Sequence, residues 1–136
     1  MRAAQGLAVG LRATVRAVVT EADTAIAAGS GDVPVLATPR LLALAEAASV
    51  AAIAPHLNAA QTSVGTAARL EHRRPSPLGA ELVVEAELTE IDGARLVFLF
   101  IARESDSPGG EVLGAGSMQR VVLDREHFLA RLTGPS

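Results

Sequence analysis

The chain predicts an α+β domain in which an antiparallel sheet of about five strands wraps around one long central helix. Three observations carry this prediction. The run from Leu41 to Ile53 (LLALAEAASVAAI) is apolar on nearly every side, so a helix built from it must be covered by other structure. Strand-like alternation stands once before this run and four times after it. The later stretches follow one another across mostly short, turn-rich links, as antiparallel neighbours do.

The first strand covers residues 7–19 (LAVGLRATVRAVV), where Leu7, Val9, Leu11, Ala13, Val15 and Val19 alternate with Arg12, Thr14 and Arg16. A Gly-rich link follows at Gly29, Ser30, Gly31 and Asp32. Thr38 then offers an N-cap hydroxyl, Pro39 suits the first helical position, and Pro55 lies past the expected end. The helix is therefore expected from about Pro39 to Ala54, roughly 24 Å at 1.5 Å per residue. The second strand, 62–73, puts Thr66, Ala68, Leu70 and His72 on one face and Gly65, Ala67, Arg69 and Glu71 on the other. In the third, 80–91, Leu82, Val84, Ala86 and Leu88 point inward and Glu81, Glu85 and Glu87 outward. Asp92-Gly93 signals a hairpin. The fourth, 94–103 (ARLVFLFIAR), is apolar on both faces, which suits a central strand or one covered by a partner. A Ser/Asp/Pro/Gly loop over 104–110 leads to the last strand, 111–123, after which Asp124 can cap a short helix through Leu132.

With 136 residues and no internal repeat, residues 1–136 are expected to form a single domain. Three Phe, no Trp or Tyr, and a net charge of −3 without a basic run argue against a nucleic-acid partner. The absence of Cys excludes disulfides, thiolate metal sites and a Cys nucleophile. The longest apolar run is too short to span a membrane, and the N-terminus lacks a signal-peptide pattern. A cytoplasmic protein with no membrane partner is the expectation. His and acidic residues show no metal-ligand spacing, so no metal and no resident cofactor are expected.

One acid breaks the apolar helix. Glu46 is its only charge, and a carboxylate in such surroundings is costly unless it is paired or has work to do. Its plain reading is a structural carboxylate facing water or an arginine. Thr38 and His72 complete a possible set of hydroxyl, carboxylate and imidazole, the parts of a nucleophilic or general-base site. Plain readings exist for these too: a cap for Thr38, an exposed strand end for His72. His72 gains weight because the face it shares with Thr66, Ala68 and Leu70 is expected to point toward the helix. Gly65 admits close approach by a ligand or marks a bulge; Gly114 and Gly116 can do the same in the last strand.

The segment VLATPRLLALAEAASVAAIAPHL (Val35–Leu57), followed by SVGTAARLEHRRPSPLG (Ser63–Gly79), resembles the fluoroacetyl-CoA-specific thioesterase-like family of hotdog-fold thioesterases. The likeness runs over about residues 7–132. It implies a hotdog fold, acyl-CoA thioester hydrolysis of a small or medium acyl group, and a catalytic set of Thr38, Glu46 and His72. The Gly65-Thr66 pair is part of the resembling pattern and is assigned to substrate binding. Arg69, Arg73 and Arg74 are candidates for the CoA phosphates, with a solvated strand charge as the plain reading for at least one of them. CoA enters as part of the substrate. A homodimer or higher homo-oligomer, with sites at the interface, is implied as well. The aromatic residues that cover the acyl group in the specialised member are absent upstream of Thr38 (GSGDVPVLAT), so fluoroacetyl selectivity is not implied. Whether Thr38 attacks or only positions substrate or water stays open. Two other readings stand beside this one: a non-catalytic acyl-CoA-binding domain, and an enoyl-thioester hydratase or dehydratase. The helix has no His before His56, which counts against the last.

Overall fold

In a computed structural model, residues 6–105 and 111–134 are described. Five strands and one long helix form the body: β1 (Arg12–Val18), α1 (Ala25–Ala28), α2 (Thr38–Ile53), β2 (Gln61–His72), β3 (Glu81–Asp92), β4 (Arg95–Glu104), β5 (Val112–Asp124) and α3 (Arg125–Thr133). The strands make one antiparallel sheet in the order β1-β3-β4-β5-β2. The helix–sheet architecture is the expected one.

The core is the apolar side of α2 against the inner face of the sheet. Leu41, Leu44, Ala45, Ala48, Ala52 and Ile53, spaced three, four and seven apart, meet Leu82, Val84, Leu88, Phe98, Phe100 and Met118, all buried. One sheet cannot enclose a helix completely. Ala43, Ala47, Val50 and Ala51 remain exposed, so α2 is not covered on every side as its composition had suggested.

Several boundaries differ from expectation for local reasons. The first strand begins only at Arg12 because Gly10, with φ +102°, turns the chain before it. The two-residue hairpin loop is Gly93-Ala94, one residue later than expected, since Asp92 pairs with Arg95. Only Gly93 has positive φ there. A short helix, α1, precedes the Gly-rich link, capped by the Thr24 hydroxyl and closed by Gly29 at φ +72°. Asp124 caps α3 by accepting from the His127 N–H, as expected. Most of the loop expected over 104–110 lies outside the described residues.

The fourth strand is central, and within the single chain one of its faces is covered: Leu96, Phe98, Phe100 and Ala102 are buried, whereas Leu99 and Ile101 are exposed. The last strand's glycines permit close packing. A Cβ on Gly114 would lie 2.9 Å from Leu41 Cδ2, and one on Gly116 would run into the Arg69 carbonyl.

Strand β2 carries the feature that matters most for the site. Gly65 pairs with Arg120, but Ala67 pairs with Gln119, so Thr66 is an extra residue in a β-bulge. A bulge reverses the alternation. Gly65 and His72, expected on opposite faces, both face the helix: Gly65 lies against Glu46, and His72 bonds Thr38.

Candidate active site

Thr38 and His72 meet at the N-terminus of α2. Thr38 Oγ1 and His72 Nδ1 are 2.8 Å apart and hydrogen-bonded. Thr38 is not the cap. It is the first helical residue, Ala37 holds the N-cap position, and no side chain caps the helix. The hydroxyl is thereby free to engage the imidazole. Burial pulls the His72 pKa below its usual value, and the Arg74 backbone acts more weakly in the opposite sense. A neutral imidazole with its proton on Nε2 accepts the Thr38 hydroxyl proton at Nδ1. Nε2 is buried and makes no hydrogen bond among the described residues. The pair opens onto a groove of about 300 Å³ bordered by Asp32, Leu36, Arg73 and Arg74.

Glu46 lies two turns along the same helix, in a separate cluster. Its Oε2 accepts from Arg120 Nη1 at 3.1 Å. Arg120 is held in turn by Ser63: Nε donates to the hydroxyl at 2.9 Å and Nη2 to the carbonyl at 3.0 Å. The guanidinium is nearly buried, at 8% exposure, while the Glu46 side chain is 44% exposed. Burial lowers the Arg120 pKa and the Glu46 carboxylate pushes it back up. A well-anchored cation thus aims a carboxylate that still reaches solvent.

The sequence reading had paired Glu46 with His72. The structure gives each a different partner, Arg120 and Thr38. Arg120 was missed, although a signal was there: it breaks the inward register of β5 between Met118 and Val122, both buried. Thr66 is the bulge residue, and its hydroxyl donates to the Gln119 carbonyl at 3.4 Å. Of the candidate phosphate ligands, Arg73 and Arg74 border the Thr38 groove. Arg69 does not line that groove; it lies on the outer face of the sheet in a cross-strand row with Ser117 and exposed Leu99, and shares Glu71 with Arg73, at 3.8 and 3.1 Å. Among the described residues no three His, Asp or Glu side chains gather as a metal site. None of the described helices is long and apolar enough to cross a membrane.

A hydroxyl bonded to a neutral imidazole, beside a helix N-terminus and on the same helix as an anchored carboxylate, is equipped for acyl transfer. Comparison with known proteins agrees. Residues 19–126 match the family model described as fluoroacetyl-CoA-specific thioesterase. The chain belongs to that family. A fluoroacetyl-CoA thioesterase from Streptantibioticus cattleyicolor is 36% identical over 98 residues, spanning 72% of this chain and 68% of its own. A solved structure of the fluoroacetyl-CoA thioesterase FlK superposes with a TM-score of 0.85 at 30% identity, covering 97% of this chain and 99% of that one. A thioesterase superfamily member from Thermus thermophilus shares the fold, with a TM-score of 0.83 at 23% identity and 95% of each chain covered. The fold is the hotdog fold, and the family is one of thioester hydrolases.

Proposed function

We propose that this protein hydrolyses an acyl-CoA thioester to the free acid and CoA. The Thr38–His72 hydrogen bond at the open end of α2 is the observation that carries the reading. His72 takes the hydroxyl proton as Thr38 attacks the thioester carbonyl. The tetrahedral oxyanion forms beside the first turn of α2, where the helix dipole favours negative charge. The C–S bond breaks, and His72 returns the proton to the departing thiolate. Glu46, aimed by Arg120, then takes a proton from the water that attacks the Thr38 ester and passes it to Thr38 Oγ1 as the acyl–oxygen bond breaks, so the acid leaves and the hydroxyl and carboxylate are both restored. Arg73, with Arg74 beside it, suits the CoA phosphates. No cofactor is required, and a cytoplasmic location fits a CoA substrate. A relative has been solved with acetyl-CoA bound, which supports the substrate class.

The working unit in this proposal is a homodimer. Thr38 and Glu46 are eight residues apart on one helix, roughly 12 Å along its axis, too far for both to act on one carbonyl. Strand β2 is a twelve-residue sheet edge with residues 65–69 all exposed, and α2 has an open face beside it. Long bare edges invite pairing. An antiparallel β2–β2 pairing centred on Arg69, with Thr66 bulged out of the ladder, sets Gly65 of one protomer opposite His72 of the other. That arrangement joins Glu46 of one chain to Thr38 and His72 of its partner.

The test is a panel of acyl-CoA thioesters with a thiol-trapping reagent. CoA release is expected, and Glu46→Gln and His72→Ala should each lower kcat/KM by about 10²-fold or more. Binding without CoA release across the panel would leave a non-catalytic acyl-CoA-binding domain.

A further inference from the structure

The helix that carries Thr38 begins without a side-chain cap. Ala37 stands at the N-cap, the Thr38 hydroxyl is committed to His72, and Pro39 has no N–H to give. The next two N–H groups, of Arg40 and Leu41, both go to the Ala37 carbonyl. A first turn held so lightly frays, and fraying here would carry Thr38 away from the imidazole. Support comes from outside the helix. Asp23 ends a single helical turn over Glu21–Asp23. Its carbonyl accepts the Ala37 N–H at 2.8 Å, and its Oδ1 accepts from Arg40 Nε at 2.8 Å. One residue thus grips the N-cap through its backbone and the third helical residue through its side chain.

The carboxylate is itself anchored. Its Oδ2 accepts from the Thr20 N–H at 2.9 Å and from the Thr20 hydroxyl at 2.8 Å. The Asp23 side chain is only 15% exposed. The Thr20 N–H, with weaker help from the Thr20 hydroxyl and Arg40, holds the carboxyl pKa below its ordinary value against the opposing effect of burial. The segment ahead of Thr38 is fixed from the other side too. The Leu36 N–H donates at 2.8 Å to the carbonyl of Ser76, four residues past His72. Leu36 and Ala37 are both buried.

We propose that Asp23 is a positioning residue for the reaction: through Arg40 and Ala37 it supplies the cap that Thr38 gives up, and so keeps the Thr38 hydroxyl on His72. The proposal rests on the thioesterase reading and adds a residue that acts through the helix and not on the substrate. An acid suits this end because a helix N-terminus attracts negative charge. The Asp23–Arg40 pair is neutral as a whole, so the same helix end still favours a developing oxyanion.

The experiment starts from Asp23→Asn. The amide oxygen can still accept from Thr20, but the amide nitrogen then faces Arg40, donor against donor. With the acyl-CoA thioester that the unaltered protein hydrolyses fastest, kcat should fall by about 10-fold while KM stays within about twofold. Arg40→Ala, where the side chain is 42% exposed, should give a similar fall, and the double variant should be no slower than either single one. Arg40→Lys keeps the ion pair and should retain most of kcat. The signature lies in the imidazole: the ¹⁵N resonance of His72 Nδ1 should move, in Asp23→Asn and Arg40→Ala alike, toward that of a ring nitrogen with no donor. Urea midpoints check that the variants fold. If Asp23→Asn does not fold, Arg40→Ala and Arg40→Lys decide by the same readings. An unchanged kcat in the folded variants, or a lower kcat with the Nδ1 resonance unmoved, overturns the proposal. The thioesterase reading fails separately. If the unaltered protein releases no CoA from any thioester, hydrolysis is overturned, and the Nδ1 resonance still tests the positioning.

Discussion

Gly65 and Glu46 compete for one space: a methyl group on Gly65 would stand 2.8 Å from the Glu46 Oε2 and 3.5 Å from Arg120 Nη1. Glycine is needed here for its missing side chain and not for a special backbone angle. Gly65→Ala must therefore push the carboxylate off its position. We expect kcat/KM to fall by about 10-fold or more. Stability should change by less than about 1 kcal/mol, because a half-exposed carboxylate can swing toward water. Parallel kinetics and chemical denaturation check this, and an alanine enzyme with full activity would show that the carboxylate position is unimportant.

Arg120 is the anchor of that carboxylate and is nearly buried. Arg120→Ala removes two bonds to Ser63 and one to Glu46 and leaves a void. The expected loss is about 2–4 kcal/mol of folding stability. Ser63→Ala removes only the bond to Nε and should cost about 1 kcal/mol. Urea unfolding of both variants gives the comparison. Equal losses would mean that the network is not organised around the arginine.

The depressed pKa of His72 fixes the direction of two pH effects. The imidazole is needed as a neutral base, so kcat/KM should hold through pH 6.5 and fall only at lower pH. For stability the sign follows from proton counting. The unfolded chain binds this proton at a higher pH than the folded chain does. Folding stability is then fully present above about pH 6.5 and declines as pH drops toward the folded-state pKa. A pH–rate profile and an NMR titration of the His72 ring test both, and an NMR midpoint above that of a model imidazole would contradict them.

Separate clusters on one helix make subunit mixing informative. With the proposed β2–β2 dimer as the working unit, Glu46→Gln and His72→Ala homodimers should each be nearly inactive. After mixing and exchange, half the dimers carry one chain of each kind, and in a shared-site arrangement one of their two sites is intact. About a quarter of wild-type activity should return. A mixture that stays as inactive as its components, with exchange verified by mass, would confine each site to a single chain.

Much of the fold was legible because its signals are local. Period-two alternation marked 80–91, Pro39 and Pro55 bracketed the helix, and Asp124 announced α3. Glu46 was legible as the one charge in an apolar helix. The pairing inside the site was not. A bulge adds one residue without altering composition, so counting along β2 put Gly65 on the wrong side of the sheet. Arg120 drew no reading from the sequence, because its place between Met118 and Val122 marks it as inward-facing only once the register of β5 is known. Partnerships across the sheet depend on residues some 30 to 75 positions apart, and no local pattern encodes them.

The extra residue at Thr66 makes the length of β2 carry more information than the identity of that residue. Everything on one side of it is in phase with Glu46, and everything on the other is in phase with Thr38. A substitution at position 66 leaves both phases intact. Removing the residue would turn one half of the strand over and strand either Gly65 or His72 on the solvent side. Mutational drift in this segment should thus accept exchanges freely and reject single-residue insertions and deletions, much as a reading frame does.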